Sequence, residues 1–156
     1  MPEFFNVVTP SEAWRILDGH IKPLMGMERI KSGEAVGRMT AETIYSPENL
    51  PAFPRATMDG YAVRAKDTYG ASEGLPAYLM VVGEVSMGHP ALVIIRPAEA
   101  VRVHTGGMLP QGADAVVMVE NTQSVDASTI EVVRPVAPGE NVLGIGEDTK
   151  AHTWTP

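Results

Sequence analysis

Apolar positions four residues apart open the chain: Ala13, Leu17 and Ile21 share one helical face, with Trp14 alongside. The start of this helix is marked too. Thr9 can cap it, Pro10 takes the first helical position, and Glu12 completes a capping box. Pro23 should end it. A second, shorter helix is predicted in SGEAVGRM (32–39), with Gly37 as its C-terminal stop. MTAETIYS (39–46) offers β-branched residues and reads as extended. Pro47, Pro51 and Pro54 then impose an extended connector.

Past the connector the pattern becomes that of strands. The runs are GYAVRA (60–65), AYLMVVGEV (77–85), ALVIIR (91–96), EAVRVHT (99–105), ADAVVMVE (113–120) and STIEVV (128–133). Turn residues separate them, among them Gly83, Gly88-His89-Pro90, Gly106-Gly107, Gly112 and Asp126. No helix-length pattern intervenes, which predicts an antiparallel β unit in place of βαβ repeats. The fold class is therefore mixed α+β, mainly β, with a short helical N-terminal part. Residues 1–47 together with 134–156 are expected to form a helical and extended scaffold, and 48–133 a β-rich domain.

Composition narrows the function classes. A chain of 156 residues suits one ordinary domain or two small ones. With no cysteine, disulfides and thiolate metal sites are excluded, and a cytoplasmic location is the expectation. The longest apolar stretch, Ala77–Val82, falls far short of the ~20 residues that span a membrane. A net charge of −7 without any Lys/Arg block argues against nucleic acid as a partner. A small anion could still be held by a local arginine, by backbone N–H groups or through a bridging cation.

Two segments carry candidate chemistry. Asp59-Gly60 is a hairpin signal, since both central residues of a type I′ turn need positive φ. The alternative is a carboxylate held at a fixed point, and only the second of the two strands a hairpin needs is obvious. In HTGGMLPQGADAVVMVE (104–120), Gly106-Gly107 would let backbone approach a ligand and Thr105 adds a hydroxyl beside it. A plain glycine turn between strands is the competing reading. Neither this segment nor GIGED is a nucleotide fingerprint: no Gly-Lys-Ser/Thr follows the first, and Thr149 stands at the third glycine position of the second. His20, His89, His104 and His152 are isolated, so structural roles are expected, with only His104 beside a candidate motif. Asp59, Asp114, Glu120, Glu147 and Asp148 could hold magnesium if they converged.

Three segments in order, LPAFPRATMDGYAV, VHTGGMLPQGADAVVMVE and PGENVLGIGED, resemble the N-terminal region of the MoeA family, the molybdopterin molybdenumtransferases. The resemblance runs from about residue 7 to about residue 150. It implies coiled β-sheets with helices in an elongated homodimer that inserts molybdate into adenylylated molybdopterin with magnesium. By motif matching it implies catalytic roles for Asp59, Thr105 and Asp148, with Arg55, Gly60, Gly106 and Gly107 contacting substrate. Asp59 would bind magnesium or orient water, and Thr105 would donate to a phosphate or molybdate oxygen. Many members carry alanine where Gly107 stands. Members also continue into an α/β domain that binds pterin and molybdate, whereas AHTWTP does not match that continuation. The resemblance thus implies half a site, not competent alone. The alternative is a non-enzymatic dimerisation or docking module that keeps the motifs as turns.

Overall fold

The computed structural model describes residues 7–22 and 26–153, which fall into two compact units, 1–43 and 44–156. In the first unit, α1 (Pro10–His20) starts as predicted, with the Thr9 hydroxyl accepting from the Glu12 N–H at 3.3 Å. It ends at His20, where Ile21 turns extended, and Pro23 lies outside the described residues. The apolar stripe is present but buries nothing: Trp14, Leu17 and Ile21 are all exposed. The second predicted helix shrinks to a 3₁₀ turn at Ser32–Glu34, followed by Gly37 with φ +78. One turn is all that its two glycines in six residues permit. Arg38 pairs with Glu28 nearby.

The second unit is built on a six-stranded sheet in the order β5-β2-β4-β3-β7-β6. Its strands are β2 (Gly60–Val63), β3 (Ala77–Glu84), β4 (Glu99–Val103), β5 (Ala115–Met118), β6 (Thr122–Ser124) and β7 (Thr129–Val132). A separate two-stranded ribbon joins β1 (Arg55–Ala56) to β8 (Val142–Leu143). Both faces of the sheet carry an apolar cluster. Val63, Leu79, Ala100, Ala115, Val117, Ile130 and Val132 pack on one face. Ala62, Val101, Val103 and Val116 pack on the other, with Ala56, Val85 and Ile95. The buried Thr68 hydroxyl donates to the Ala65 carbonyl and accepts from the Val136 N–H, so the one buried polar side chain among the described residues is satisfied.

The fold class is that read from the sequence, with three local differences. All sheet pairings are antiparallel except β3–β4, which are parallel. The segment 85–98 is long enough to carry the chain back for a parallel return. ALVIIR, predicted as a strand, occupies that return and makes only a single bridge, Ile94 to Gln111. Its apolar residues instead plug the sheet from one side, through Ala91, Val93 and Ile95. MTAETIYS likewise forms no named strand.

One irregularity in the sheet bears on function. A bulge at Val82 shifts the β3–β4 register, so Val81 opposes Ala100 but Glu84 opposes Arg102. The extra residue returns Glu84 to the face that carries Val81 and Ala100. Arg102 in turn opposes Tyr61 on β2. Tyr61, Arg102 and Glu84 therefore form one row across three strands.

Candidate functional site

The three marked segments are hydrogen-bonded to one another. β1 lies between them: the Gly106 N–H donates to the Ala56 carbonyl at 2.8 Å and the Ala56 N–H to the Gly107 carbonyl at 2.9 Å. On its other side the Thr57 N–H donates to the Asn141 carbonyl at 3.0 Å, and β1 pairs with β8. Residues 146–149 close onto the proline connector, with the Gly146 N–H on the Pro51 carbonyl and the Asp148 N–H on the Leu50 carbonyl.

Asp59 does not sit in a hairpin turn. β1 and β2 pair with other strands, and neither Asp59 nor Gly60 has a positive φ. Gly60 is required for a different reason. A Cβ there would lie 2.0 Å from the Val117 carbonyl oxygen, so β2 can approach β5 only without a side chain at this position. Asp59 is carried just ahead of that contact, and its own carbonyl accepts from the Val119 N–H at 3.1 Å. The backbone that bears the carboxylate is thereby fixed to β5.

Thr105 fixes the carboxylate itself. Its N–H and its hydroxyl both donate to Asp59 Oδ1, at 2.7 and 2.8 Å. The turn that presents Thr105 is closed by the Gly107 N–H on the His104 carbonyl, with Gly106 at φ +83 in the position where a type II turn needs positive φ. A Cβ on Gly107 would lie 2.8 Å from the His104 carbonyl oxygen, whereas one on Gly106 would meet open space. The Thr105 hydroxyl proton is thus committed to Asp59, and while it is, it cannot donate to an oxyanion. Its service in this geometry is to anchor Asp59, whose Oδ2 has no hydrogen-bond partner among the described residues.

Thr105 also sets the ionisation of Asp59. Its backbone N–H first, and then its hydroxyl, hold the carboxyl below its ordinary value of 3.8, with smaller help from His104 and Arg102. A carboxylate whose folded pKa is depressed contributes stability above its unfolded pKa and loses it as pH falls through the folded one. We therefore expect the Asp59 carboxyl carbon to titrate with a midpoint under 3.8, the Thr105 amide shift following in step. In Thr105→Val the midpoint should move upward, because the hydroxyl donor is gone.

Asp148 lies apart from them, in the 146–149 segment that closes onto the proline connector. It pairs with Arg55 at 3.2 Å, both half-exposed, and bonds to neither Asp59 nor Thr105. An exposed pair of this kind contributes little to stability. The other acids are in use or apart: Asp114 accepts from the buried Ala65 N–H at 2.6 Å and Glu147 from the Gly144 N–H at 2.7 Å. Among the described residues no three of His, Asp or Glu converge.

Three residues at this end of the sheet were not singled out by the sequence reading, and a fourth, His104, only in passing. His104 Nε2 bonds Glu84 Oε1 at 2.8 Å, and this contact keeps the Glu84 carboxyl below its usual range. Tyr61, Arg102 and His104 line a cavity of about 120 Å³ with Asp59. A larger one of about 500 Å³ continues from Tyr61, Arg102 and Glu84 to Ser124, Asp126 and Thr129. The available signal was alternation. Tyr61 lies two residues after Asp59, while Arg102 and His104 flank the buried Val103.

A fold of curled β-sheets carrying an MDG segment bonded to a TGG segment defines the class, and the comparisons agree. The model of the MoeA N-terminal region (domain I and II) matches residues 8–154. The chain belongs to that family. It is 38% identical over 120 residues to the molybdopterin molybdenumtransferase of Bacillus subtilis, covering 75% of this chain and 28% of that protein. For the enzyme of the same name in Haemophilus influenzae the identity is 38% over 123 residues, covering 79% and 29%. The crystal structure of the molybdopterin biosynthesis MoeA protein from Pyrococcus horikoshii superposes with a TM-score of 0.85 at 40% identity, over 94% of this chain and 38% of that one. The chain thus spans under a third of the length of these curated relatives.

Proposed function

We propose that this chain supplies one wall of a site in molybdenum cofactor biosynthesis, where molybdate is inserted into adenylylated molybdopterin. The observation that carries this reading is the Asp59 carboxylate, ionised and locked by two bonds from Thr105 yet open at Oδ2. Such a group, rigid and partly unsatisfied, suits a cation or a water beside a reacting centre. It does not suit an oxyanion. In a chain of net charge −7, phosphate and molybdate need positive groups from the α/β domain of the complete family architecture, contributed in a cytoplasmic homodimer by the partner subunit.

Magnesium fits this wall as a shared ligand. The described residues form no three-carboxylate cage, but one fixed carboxylate oxygen matches the family of sites in which most magnesium ligands are water and substrate phosphate. When bound, the ion would neutralise phosphate charge. Asp59 Oδ2 would hold it, while Thr105 keeps the carboxylate in place. Arg55 on the ribbon, paired with Asp148, would border the site, and Gly106 would leave room for substrate beside Thr105.

Docking to a second copy is the second component of the reading. Trp14, Leu17 and Ile21 form an apolar stripe on α1 that is exposed in the single chain. Such a stripe favours a partner surface, which we take to be a second copy.

The test uses the chain alone and the same chain joined to the remaining length of a relative. Alone, it should neither hydrolyse adenylylated molybdopterin nor bind molybdate in the micromolar range. Joined, it should form the molybdenum cofactor. Activity or tight molybdate binding by the chain alone would overturn the half-site reading, and a folded but inactive joined protein would overturn the assignment.

A further inference from the structure

The wall around Asp59 includes a contact that has no duty so far: His104 Nε2 on Glu84 Oε1, at 2.8 Å. Stability does not call for it. The two side chains are 32% and 53% exposed, and exposed pairs contribute little to folding. Yet the sheet is distorted to make it. Without the extra residue at Val82, Glu84 would fall on the opposite face of β3, away from His104. Glu84 then passes over Arg102, which it opposes directly, and bonds the residue two further along the chain.

The position of the ring proton follows from the chemistry of the pair. This contact keeps Glu84 ionised, and a carboxylate only accepts, so Nε2 carries the proton. In the neutral ring Nδ1 is then a bare acceptor, and it has no hydrogen-bond partner among the described residues. His104 lines the cavity of about 120 Å³ that Asp59 also lines, and Asp59 Oδ2 is likewise open. That space admits a few waters between two unpartnered acceptors.

We propose that His104 Nδ1 orients a water in the Asp59 site and that Glu84 is the positioning residue of His104. A water that donates one hydrogen to Asp59 Oδ2 and the other to His104 Nδ1 has only its lone pairs left to present to the reacting centre. No proton passes to the ring in this role. Glu84 acts earlier, fixing the tautomer and the rotation of the imidazole before the water arrives, as a carboxylate does for a histidine in many sites. The inference rests on the catalytic reading of Asp59 given above.

Two measurements test it, and the first is independent of that reading. In the isotopically labelled 156-residue chain, nitrogen spectra of the neutral His104 ring should show the proton on Nε2, protected from solvent exchange, with Nδ1 bare. Glu84→Ala should abolish the protection while the amide spectrum of the sheet is retained. A proton on Nδ1, or protection unchanged in Glu84→Ala, would overturn the proposal. The second uses the chain joined to the remaining length of a relative. His104→Gln keeps an N–H where Nε2 stands but removes the Nδ1 acceptor, whereas His104→Asn puts an amide oxygen where Nδ1 stands. His104→Gln should lower kcat for cofactor formation about tenfold, as for one lost hydrogen bond, with KM within about twofold. His104→Asn should recover part of that loss. A histidine that served only to tie down Glu84 would give the reverse order, with His104→Gln tolerated and His104→Asn impaired, and that result would sink the proposal. A joined parent protein that forms no cofactor would count against the proposed function, while the proton position in the single chain would still decide whether Glu84 sets the ring.

Discussion

Gly60→Ala should unfold the sheet or come close to it, with a loss on the order of 3 kcal/mol or more. The new methyl would stand 2.0 Å from the Val117 carbonyl oxygen, and both strands are backbone there, so no flexible side chain can swing away. β2 is also the strand between β5 and β4, which leaves it no free side toward which to move. Because domains of this size are stable by only about 5–15 kcal/mol, one such clash removes a large share. Two companions calibrate the effect in chemical or thermal unfolding. Gly106→Ala meets open space but keeps φ +83, and should cost about 1 kcal/mol. Gly74→Ala meets nothing and has no unusual φ, so it should change stability by less than about 0.5 kcal/mol. If Gly60→Ala were as stable as Gly74→Ala, the close approach of β2 and β5 would be wrong.

How much of this was readable in the sequence depends on how local the cause is. The cap at Thr9 and the strand runs beginning at 60, 77, 99, 113 and 128 are local, and the structure has a cap or a strand within each of them. Asp59-Gly60 shows where local reading fails. The dipeptide is locally a hairpin signal because glycine permits positive φ, whereas its glycine is there to admit a neighbouring carbonyl from a strand more than fifty residues away. ALVIIR has strand composition but serves as a plug, because the parallel return between β3 and β4 leaves that segment outside the ladder. The short strands β1, β6 and β8 carry little apolar pattern and are defined by their partners.

The candidate site divides the same way. Asp59 and Thr105 were found through the motifs, and the structure brings them into contact across 46 residues of chain. Arg55 and Asp148 also meet, but as a pair of their own. Arg102 and Glu84 escaped notice because their meeting depends on a one-residue bulge, which no periodicity announces.

The largest functional effect is expected at Asp59, where charge and anchoring can be separated. In Asp59→Asn the amide oxygen still accepts from the Thr105 N–H and hydroxyl, so the 104–107 turn keeps its tie while the negative charge is lost. The site is at the surface, so the unfolding midpoint at neutral pH should change little. Loss of a preorganised charge next to a reacting phosphate ordinarily costs about 100-fold or more. A docking module that used Asp59 only to shape a turn would behave in the opposite way, tolerating asparagine in both respects. The decisive measurement is made on Asp59→Asn in the chain joined to the remaining length of a relative, with cofactor formation and thermal unfolding recorded on the same protein. Cofactor formation should fall by about 100-fold or more with the unfolding midpoint unchanged. Cofactor formation close to that of the parent protein would contradict a catalytic wall at Asp59.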